Sequence, residues 1–216
     1  HDGATGQFLK QINFLDDFPK KLTVENGYLR LDEAAQFVTN NAQELDAFVD
    51  SIKVGLHENI QVSGGLGPLK SELPSYKAMP VADSDQRISQ LFTATANLAG
   101  VSNRALYETL AKLLLKAAYQ GTLFAATQNK QSNKVFLTLV GGGVFKNKLD
   151  WIVTAIQEAV HKVHSAGLEV TLVIYHSGSY DKDEWAAATQ KLMGLVNASG
   201  GAWLRYKKNG IYSLKR

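Results

Sequence analysis

The stretch Val135-Phe-Leu-Thr-Leu-Val-Gly-Gly-Gly-Val-Phe-Lys-Asn-Lys-Leu-Asp150 decides the fold, because an apolar strand runs directly into three glycines and then into a helix. Glycines let backbone N–H groups approach an oxyanion without a Cβ atom in the way, and they permit left-handed φ values at little steric cost. The start of the following helix adds further N–H groups and the positive end of its dipole. Gly141, Gly142 and Gly143 therefore predict an anion-binding turn.

The helix after this turn is predicted to start at Asn147. Asn147 is a favourable N-cap, and Asp150 follows three positions later, where a negative charge suits the helix dipole. An apolar stripe then recurs at helical spacing: Ile152, Ala155, Ile156, Ala159 and Val163. A second apolar run, Leu168 to Tyr175, completes a strand-helix-strand unit that closes right-handed onto a parallel sheet. Ligands of such sheets bind at the C-terminal ends of the strands.

The composition indicates one large α/β domain over residues 1–216. The 216 residues are 45% hydrophobic and 20% charged, as expected of a globular chain with a full core. The net charge of +3 is too small for a dedicated nucleic-acid binder. The basic stretch Arg205 to Lys208 is typical of lysines that protect an edge strand. We therefore expect neither a nucleic-acid partner nor a membrane partner, and we expect a monomer.

The residue types also limit the chemistry. Cysteine is absent, which excludes thiol catalysis, disulfides and thiolate metal sites. His161 and His164 lie three apart on a predicted helix, but no third ligand joins them, so no metal site is predicted. The start, His1 to Gly6, lacks a signal-peptide pattern, and we expect a cytoplasmic protein, in the host cytosol if it is a secreted effector.

Periodicity and turn residues predict the remaining elements. Helical spacing covers 32–56 with a break near residues 39–41, and a long helix covers 102–128 with Ser102 as its N-cap. A further helix covers 184–196. Short strands are predicted at 28–31, 60–62, 78–82, 202–206 and 210–214.

The glycine triplet differs from the common nucleotide motifs. A dinucleotide fingerprint would need glycine where Lys146 stands, and an acidic residue where the next strand ends at Tyr175 to Gly178. A phosphate-binding loop of the Walker type would need a Gly-Lys-Ser/Thr run. The triplet therefore indicates either a different anion site or a tight turn that binds nothing.

Two segments together resemble the macrodomain family, and most closely its divergent, effector-type members. They are the helix around Ala117-Ala-Tyr-Gln-Gly-Thr-Leu-Phe-Ala-Ala126 and the glycine stretch continued by Trp151-Ile. Upstream, Tyr76-Lys-Ala-Met-Pro-Val-Ala82 is similar to the strand before the long helix of that family. The likeness covers about residues 76–178, whereas residues 1–75 are divergent.

This resemblance implies a three-layer α/β/α sandwich with a mixed, largely parallel central sheet that binds ADP-ribose. The implied pyrophosphate and ribose contacts are Gly141, Gly142, Gly143, Val144, Phe145 and Asn147. Tyr175 and Ser177, which follow the next strand, are expected either to border the adenosine or to form a plain strand-exit turn. The usual first loop of the family has no good match here. No resident cofactor is implied.

The resemblance also suggests removal of ADP-ribose from modified protein. Such a reaction passes through an oxocarbenium-like centre, for which a carboxylate that positions water is the natural tool. Glu58 and Asp83, near predicted strand ends, are the candidate catalytic acids, although each is also explained as an ordinary solvated side chain. Two alternatives stay open: a non-catalytic ADP-ribose reader, and another α/β protein that binds a nucleotide phosphate.

Overall fold

A computed structural model of the protein describes residues 12–25, 27–66, 78–174, 180–199, 202–206 and 209–214. The chain is mixed α/β, as predicted, and divides into two compact units. The larger unit combines the chain up to Val54 with the chain from Thr93 onward, and the smaller unit is Gly55–Phe92.

The first part of the larger unit is a short hairpin followed by two helices. Strands β1 (Val24–Glu25) and β2 (Tyr28–Leu29) pair antiparallel. Helices α1 (Leu31–Asn40) and α2 (Leu45–Ser51) follow. The predicted break near residues 39–41 is confirmed, because the Asn41 side chain donates back to Phe37 O (2.8 Å) where α1 ends. The second helix stops at Ser51 rather than near residue 56.

The smaller unit is made of two antiparallel strand pairs. Its strands are β3 (Gly55–Gln61), β4 (Gly64–Leu66), β5 (Ala78–Pro80) and β6 (Arg87–Phe92). β3 pairs with β6, and β4 pairs with β5. A register shift between His57 and Ile60 accommodates Asn59, whose φ of 55° lies in the left-handed region. β6 was not predicted, since its apolar residues do not alternate cleanly.

The second part of the larger unit holds the main sheet and its helices. In chain order its elements are α3 (Glu108–Gln128), β7 (Lys134–Thr138), α4 (Leu149–Lys162), β8 (Glu169–Ile174), α5 (Lys182–Ala198), β9 (Ala202–Tyr206) and β10 (Asn209–Leu214). The strand order is β7-β8-β10-β9. β7 and β8 are parallel, with Val135 opposite Val170, so the predicted strand-helix-strand unit is present.

The expectation of a largely parallel sheet is wrong for this sheet. Only the β7–β8 pair is parallel, whereas β10 runs antiparallel to both β8 and β9. The reason is the connection after β8: α5 returns the chain so that β9 runs in the direction of β8, and β10 then turns back and inserts between them. The sheet is therefore mixed, with its parallel edge at β7 and β8.

Helix α4 lies against α3 and α5, and its predicted stripe is buried. Ile152, Ile156 and Ala159 are fully inaccessible to solvent. Helix α3 approaches the chain at Val54 closely, since a Cβ atom on Gly121 would lie 2.7 Å from Val54 Cγ1. Among the described residues, no helix has the length and apolar character needed to span a bilayer.

The start of the long helix differs from the prediction. Ser102 is not its N-cap: a 3-10 turn, Arg104–Tyr107, comes first, and α3 begins at Glu108 without a side-chain cap. Leu106, within the predicted helix 102–128, lies in this 3-10 turn and is 65% exposed. The apolar face of α3 starts at Leu110 instead, which is buried.

Candidate functional site

The glycine loop connects the end of β7 to the start of α4 in the larger unit. It therefore lies at the C-terminal edge of the parallel strand pair, where α/β sheets bind ligands. Tyr119 of α3 fixes the strand exit: its hydroxyl donates to Thr138 O (2.8 Å) and accepts from Val140 N (2.9 Å). Burial raises the pKa of Tyr119, so the phenol stays neutral and serves as both donor and acceptor.

Asn147 closes the loop, and the prediction that it caps α4 is wrong. Its backbone N–H and its side-chain Nδ2 both donate to Gly141 O, each at 3.0 Å. Nδ2 also donates to Ala96 O at 2.8 Å. The side chain is therefore committed to carbonyls of the core, where it is only 2% exposed, and α4 begins two residues later at Leu149. The role of Asn147 is to tie residues 141–147 into a closed turn.

The first amide of α4 already has an anionic partner. Leu149 N donates to Glu184 Oε1 of α5 at 2.8 Å. The carboxylate of Asp181 caps α5 itself by accepting from Asp183 N (2.9 Å) and Glu184 N (3.2 Å). Asp150, in the first turn of α4, pairs with Lys191. Side chains of α5 therefore already stabilise the start of α4.

The first two glycines are required by internal packing. Gly141 has a φ of +80°, and a Cβ atom there would lie 2.7 Å from Thr95 Oγ1 and 2.9 Å from Asn147 Nδ2. At Gly142 a Cβ atom would meet the Tyr180 hydroxyl and would lie 3.1 Å from Ile152 Cδ1. Gly142 N also donates to Leu139 O at 3.1 Å. The space in front of these two residues is occupied by protein atoms.

The second half of the loop is open. A Cβ atom on Gly143 would have no neighbour within 4 Å in the part of the chain that the structure describes, and Val144 is 80% exposed. Lys146 has a φ of 58°, in the left-handed region. Among the described residues, no hydrogen-bond acceptor is found for the backbone N–H groups of residues 143–146. The half-buried ring of Phe145 packs edge-on against Tyr28, with ring centroids 6.2 Å apart.

Two buried polar atoms beside Gly141 also lack partners. Thr95 Oγ1 and Asn147 Oδ1 are inaccessible to solvent and form no hydrogen bond. Thr95 Oγ1 and Asn147 Nδ2 both approach Gly141, so the two side chains border the same glycine. Buried polar atoms are normally paired, and orphans indicate a bound water, ion or ligand group. The segment that carries Thr95 is held to the loop by Leu98 N, which donates to Phe145 O at 2.9 Å.

The other predicted site residues lie elsewhere in the chain. Glu58 and Asp83 are exposed residues of the smaller unit. Asp83 Oδ1 accepts from Asp85 N at 2.9 Å, which is a turn-forming contact in the connection before β6. Tyr175 and Ser177 lie outside the described residues. Their proposed catalytic and binding roles stay predictions.

The histidine pair lies at the other end of the sheet. His161 and His164 stack, with ring centroids 5.5 Å apart, beside a cavity of about 330 Å³ whose floor includes Val163, Leu168 and Val170. Val170 is at the start of β8, whereas the glycine loop follows the end of β7. No group of three or more metal-ligating side chains occurs within the described part of the chain.

Sequence reasoning missed Thr95, Tyr119, Tyr180 and Glu184. Thr95 lies in an irregular segment with no periodicity, and its contact with Gly141 spans 46 positions of the numbering. Glu184 is the first residue of the predicted helix 184–196, a position that gives no sign of its contact with α4. The only signal for Tyr119 was its place in the buried stripe of α3. No protein-family model matches the sequence, and comparison with curated proteins and with solved structures likewise gave no match.

Proposed function

We propose that this chain binds ADP-ribose through the second half of its glycine loop. The observation that carries the proposal is that, among the described residues, no acceptor is found for the backbone N–H groups of residues 143–146. The resemblance of residues 76–178 to macrodomains supports the same ligand. With that resemblance we also propose the three-layer α/β/α arrangement of the family for this chain.

The chemistry of the ligand fits these groups. A diphosphate needs several converging N–H donors, and charge-assisted hydrogen bonds to such an anion are stronger than neutral ones. A sugar presents a flat apolar face, for which the half-exposed ring of Phe145 is a suitable partner.

Calorimetry with ADP-ribose, ADP, ATP and NAD tests the proposal. The wild-type protein should prefer free ADP-ribose, whereas equal binding of all four would favour another type of nucleotide-binding protein.

Gly143→Val should weaken ADP-ribose binding at least about tenfold by placing a branched side chain over the open amides. Gly194→Val, at another glycine with no neighbour within 4 Å, is the matched control and should bind normally. Normal binding by Gly143→Val would refute the loop as the site.

We further propose removal of ADP-ribose from modified protein, with Asp83 and Glu58 as candidate acids. Asp83→Ala and Glu58→Ala should each lower turnover of an ADP-ribosylated protein more than they lower ADP-ribose affinity. Asp85→Ala is the control, because Asp85 is an exposed acid in the same connection as Asp83. Unchanged turnover in both variants would exclude these acids as catalysts.

A non-catalytic reader is the second candidate, favoured by a specific observation. Glu184 and Asp150, the acids at the start of α4, are both engaged, the first by Leu149 N and the second by Lys191. Each acid therefore already has a structural role at the start of α4, which supports the reader over a hydrolase that uses either of them. A reader would bind ADP-ribosylated protein and leave the modification intact, which the same incubation detects by the absence of released ADP-ribose.

A further inference from the structure

The cavity beside His161 and His164, here named the histidine cavity, has an apolar floor. Its volume of about 330 Å³ lies within the range of small-molecule sites. Val163 and Val170, which line it, are buried, and the end of α5 contributes Leu195 and Ala198 to the lining. A molecule in this cavity would therefore place an apolar part against the protein core.

The polar groups of the histidine cavity come mainly from one side of α4. Gln157, His161 and His164 are four and then three positions apart, so they follow one face of the helix and of the turn after it. Ser199 also lines the cavity, but its hydroxyl already donates to Leu195 O at 2.9 Å. Among the described residues that line the cavity, none is acidic. The polar side therefore suits a ligand group that is acidic rather than basic.

The hydrogen bond of His164 determines which ring nitrogen a ligand can use. Nδ1 lies 2.8 Å from His161 O, and because a carbonyl oxygen only accepts, Nδ1 carries a proton. Nε2 is therefore the acceptor of the neutral ring. A carboxylic acid matches Nε2 in either proton state: it donates its O–H to Nε2, or it transfers that proton and accepts the resulting N–H as a carboxylate. An alcohol has no anionic oxygen and cannot form this ion pair.

We propose that the histidine cavity binds a small carboxylic acid that carries an apolar chain. The acid group pairs with His164, whose ring is held by stacking on His161 with an angle of 13° between the ring planes. The chain lies on Val163, Leu168 and Val170. This site is separate from the glycine loop, and the inference does not depend on the proposed binding of ADP-ribose.

Calorimetry of the full chain with butanoate, hexanoate and octanoate tests the inference. One molecule should bind per chain, and the affinity should rise about fourfold for each methylene group that the floor covers. Hexan-1-ol has the same chain without the acid group, and it should bind at least about tenfold more weakly than hexanoate. Equal affinities for hexanoate and hexan-1-ol, or no saturable binding of octanoate, would overturn the inference.

His164→Phe tests the role of the imidazole, because it keeps a planar ring and removes both nitrogens. Hexanoate should bind at least about tenfold more weakly to this variant, while the affinity for hexan-1-ol changes less than twofold. His57→Phe is the matched control, since His57 belongs to the smaller unit and stacks on Phe92 there. An unchanged affinity for hexanoate in His164→Phe would show that His164 does not bind the acid group.

Ala198→Phe tests the cavity itself. Ala198 is exposed at the end of α5, so the larger side chain can enter the cavity without displacing the core, and octanoate affinity should fall at least about tenfold. Ala187→Phe changes an exposed alanine of the same helix that does not line the cavity, and it should bind octanoate normally. Gln157→Phe is the second filling variant in case Ala198→Phe does not fold. Normal octanoate binding by the folded filling variants would place the site elsewhere and refute the inference.

Discussion

The two halves of the glycine loop have the same kind of sequence and opposite environments. Gly141 and Gly142 face Thr95, Asn147 and Tyr180, so the missing side chains make room for the protein itself. Within the described ranges, Gly143 has no neighbour in front of it, and no acceptor is found for the backbone amides after it. A run of glycines therefore does not identify a binding loop as a whole. One part builds the turn, and the other part is the proposed ligand site.

The largest effect that tests this comparison is expected for Gly141→Ala. The methyl group would meet Thr95 Oγ1 at 2.7 Å in a backbone with a φ of +80°. Overpacking and left-handed strain together should lower the free energy of unfolding by about 3 kcal/mol. Denaturant titration measures this change. Gly143→Ala is the matched control and should stay within about 0.5 kcal/mol of wild type. Equal losses of stability in Gly141→Ala and Gly143→Ala would show that the two halves of the glycine loop do not differ in packing.

Asn147→Ala should have the next largest effect. The change removes the hydrogen bonds from Nδ2 to Ala96 O and Gly141 O, and it leaves the buried carbonyl of Ala96 without this donor. We expect a loss of about 2 kcal/mol in the free energy of unfolding, measured by chemical denaturation. Asn129→Ala, which removes an exposed turn contact with Gln131 N, is the comparison variant and should cost less. A cost no larger than that of the comparison variant would show that Asn147 does not hold the turn.

Tyr119→Phe should lower the free energy of unfolding by less than Asn147→Ala does. The variant keeps the buried ring and removes only the hydroxyl that joins Thr138 O to Val140 N. Those two groups already bond each other at 2.9 Å, so the loss should be about 1 kcal/mol. Thermal unfolding measures it. An unchanged or higher stability would mean that the backbone alone fixes the strand exit.

The smallest expected effect on stability is that of high pH, which acts through the Tyr119 hydroxyl. The pKa of Tyr119 is raised in the folded protein, so its stabilising effect is complete below the unfolded pKa near 10 and is lost as pH rises through that range toward the folded pKa. At pH 10 the loss should be about 0.4 kcal/mol for this one tyrosine. Tyr119→Phe should show a correspondingly shallower decline between pH 8 and pH 10. A steeper decline in the variant would contradict the assignment.

Local patterns predicted the elements better than their connections. The stripe of α4 and the break after α1 follow from periodicity and from Asn41, and both are present. Asn147 was wrongly predicted as an N-cap because an asparagine amide can either cap a helix or bond to buried carbonyls. The carbonyl that it bonds, Ala96 O, belongs to a residue distant in the sequence. The antiparallel insertion of β10 depends on how the chain returns after α5, which periodicity does not encode. For the site, glycine content indicated the loop, but only tertiary contacts distinguish its two halves.

In the sequence, the smaller unit ends just before the segment that supports the glycine loop. Its last residue, Phe92, is followed within a few positions by Thr95, Ala96 and Leu98, which support Gly141, Asn147 and Phe145 in turn. Excising Gly55–Phe92 would therefore require a linker that preserves the path of residues 93–98. A linker that is too short would displace Ala96 O and Leu98 N, to which the turn is bonded. A deletion protein would then lose the proposed ligand affinity because of its new junction, even if the excised strands do not contact the ligand.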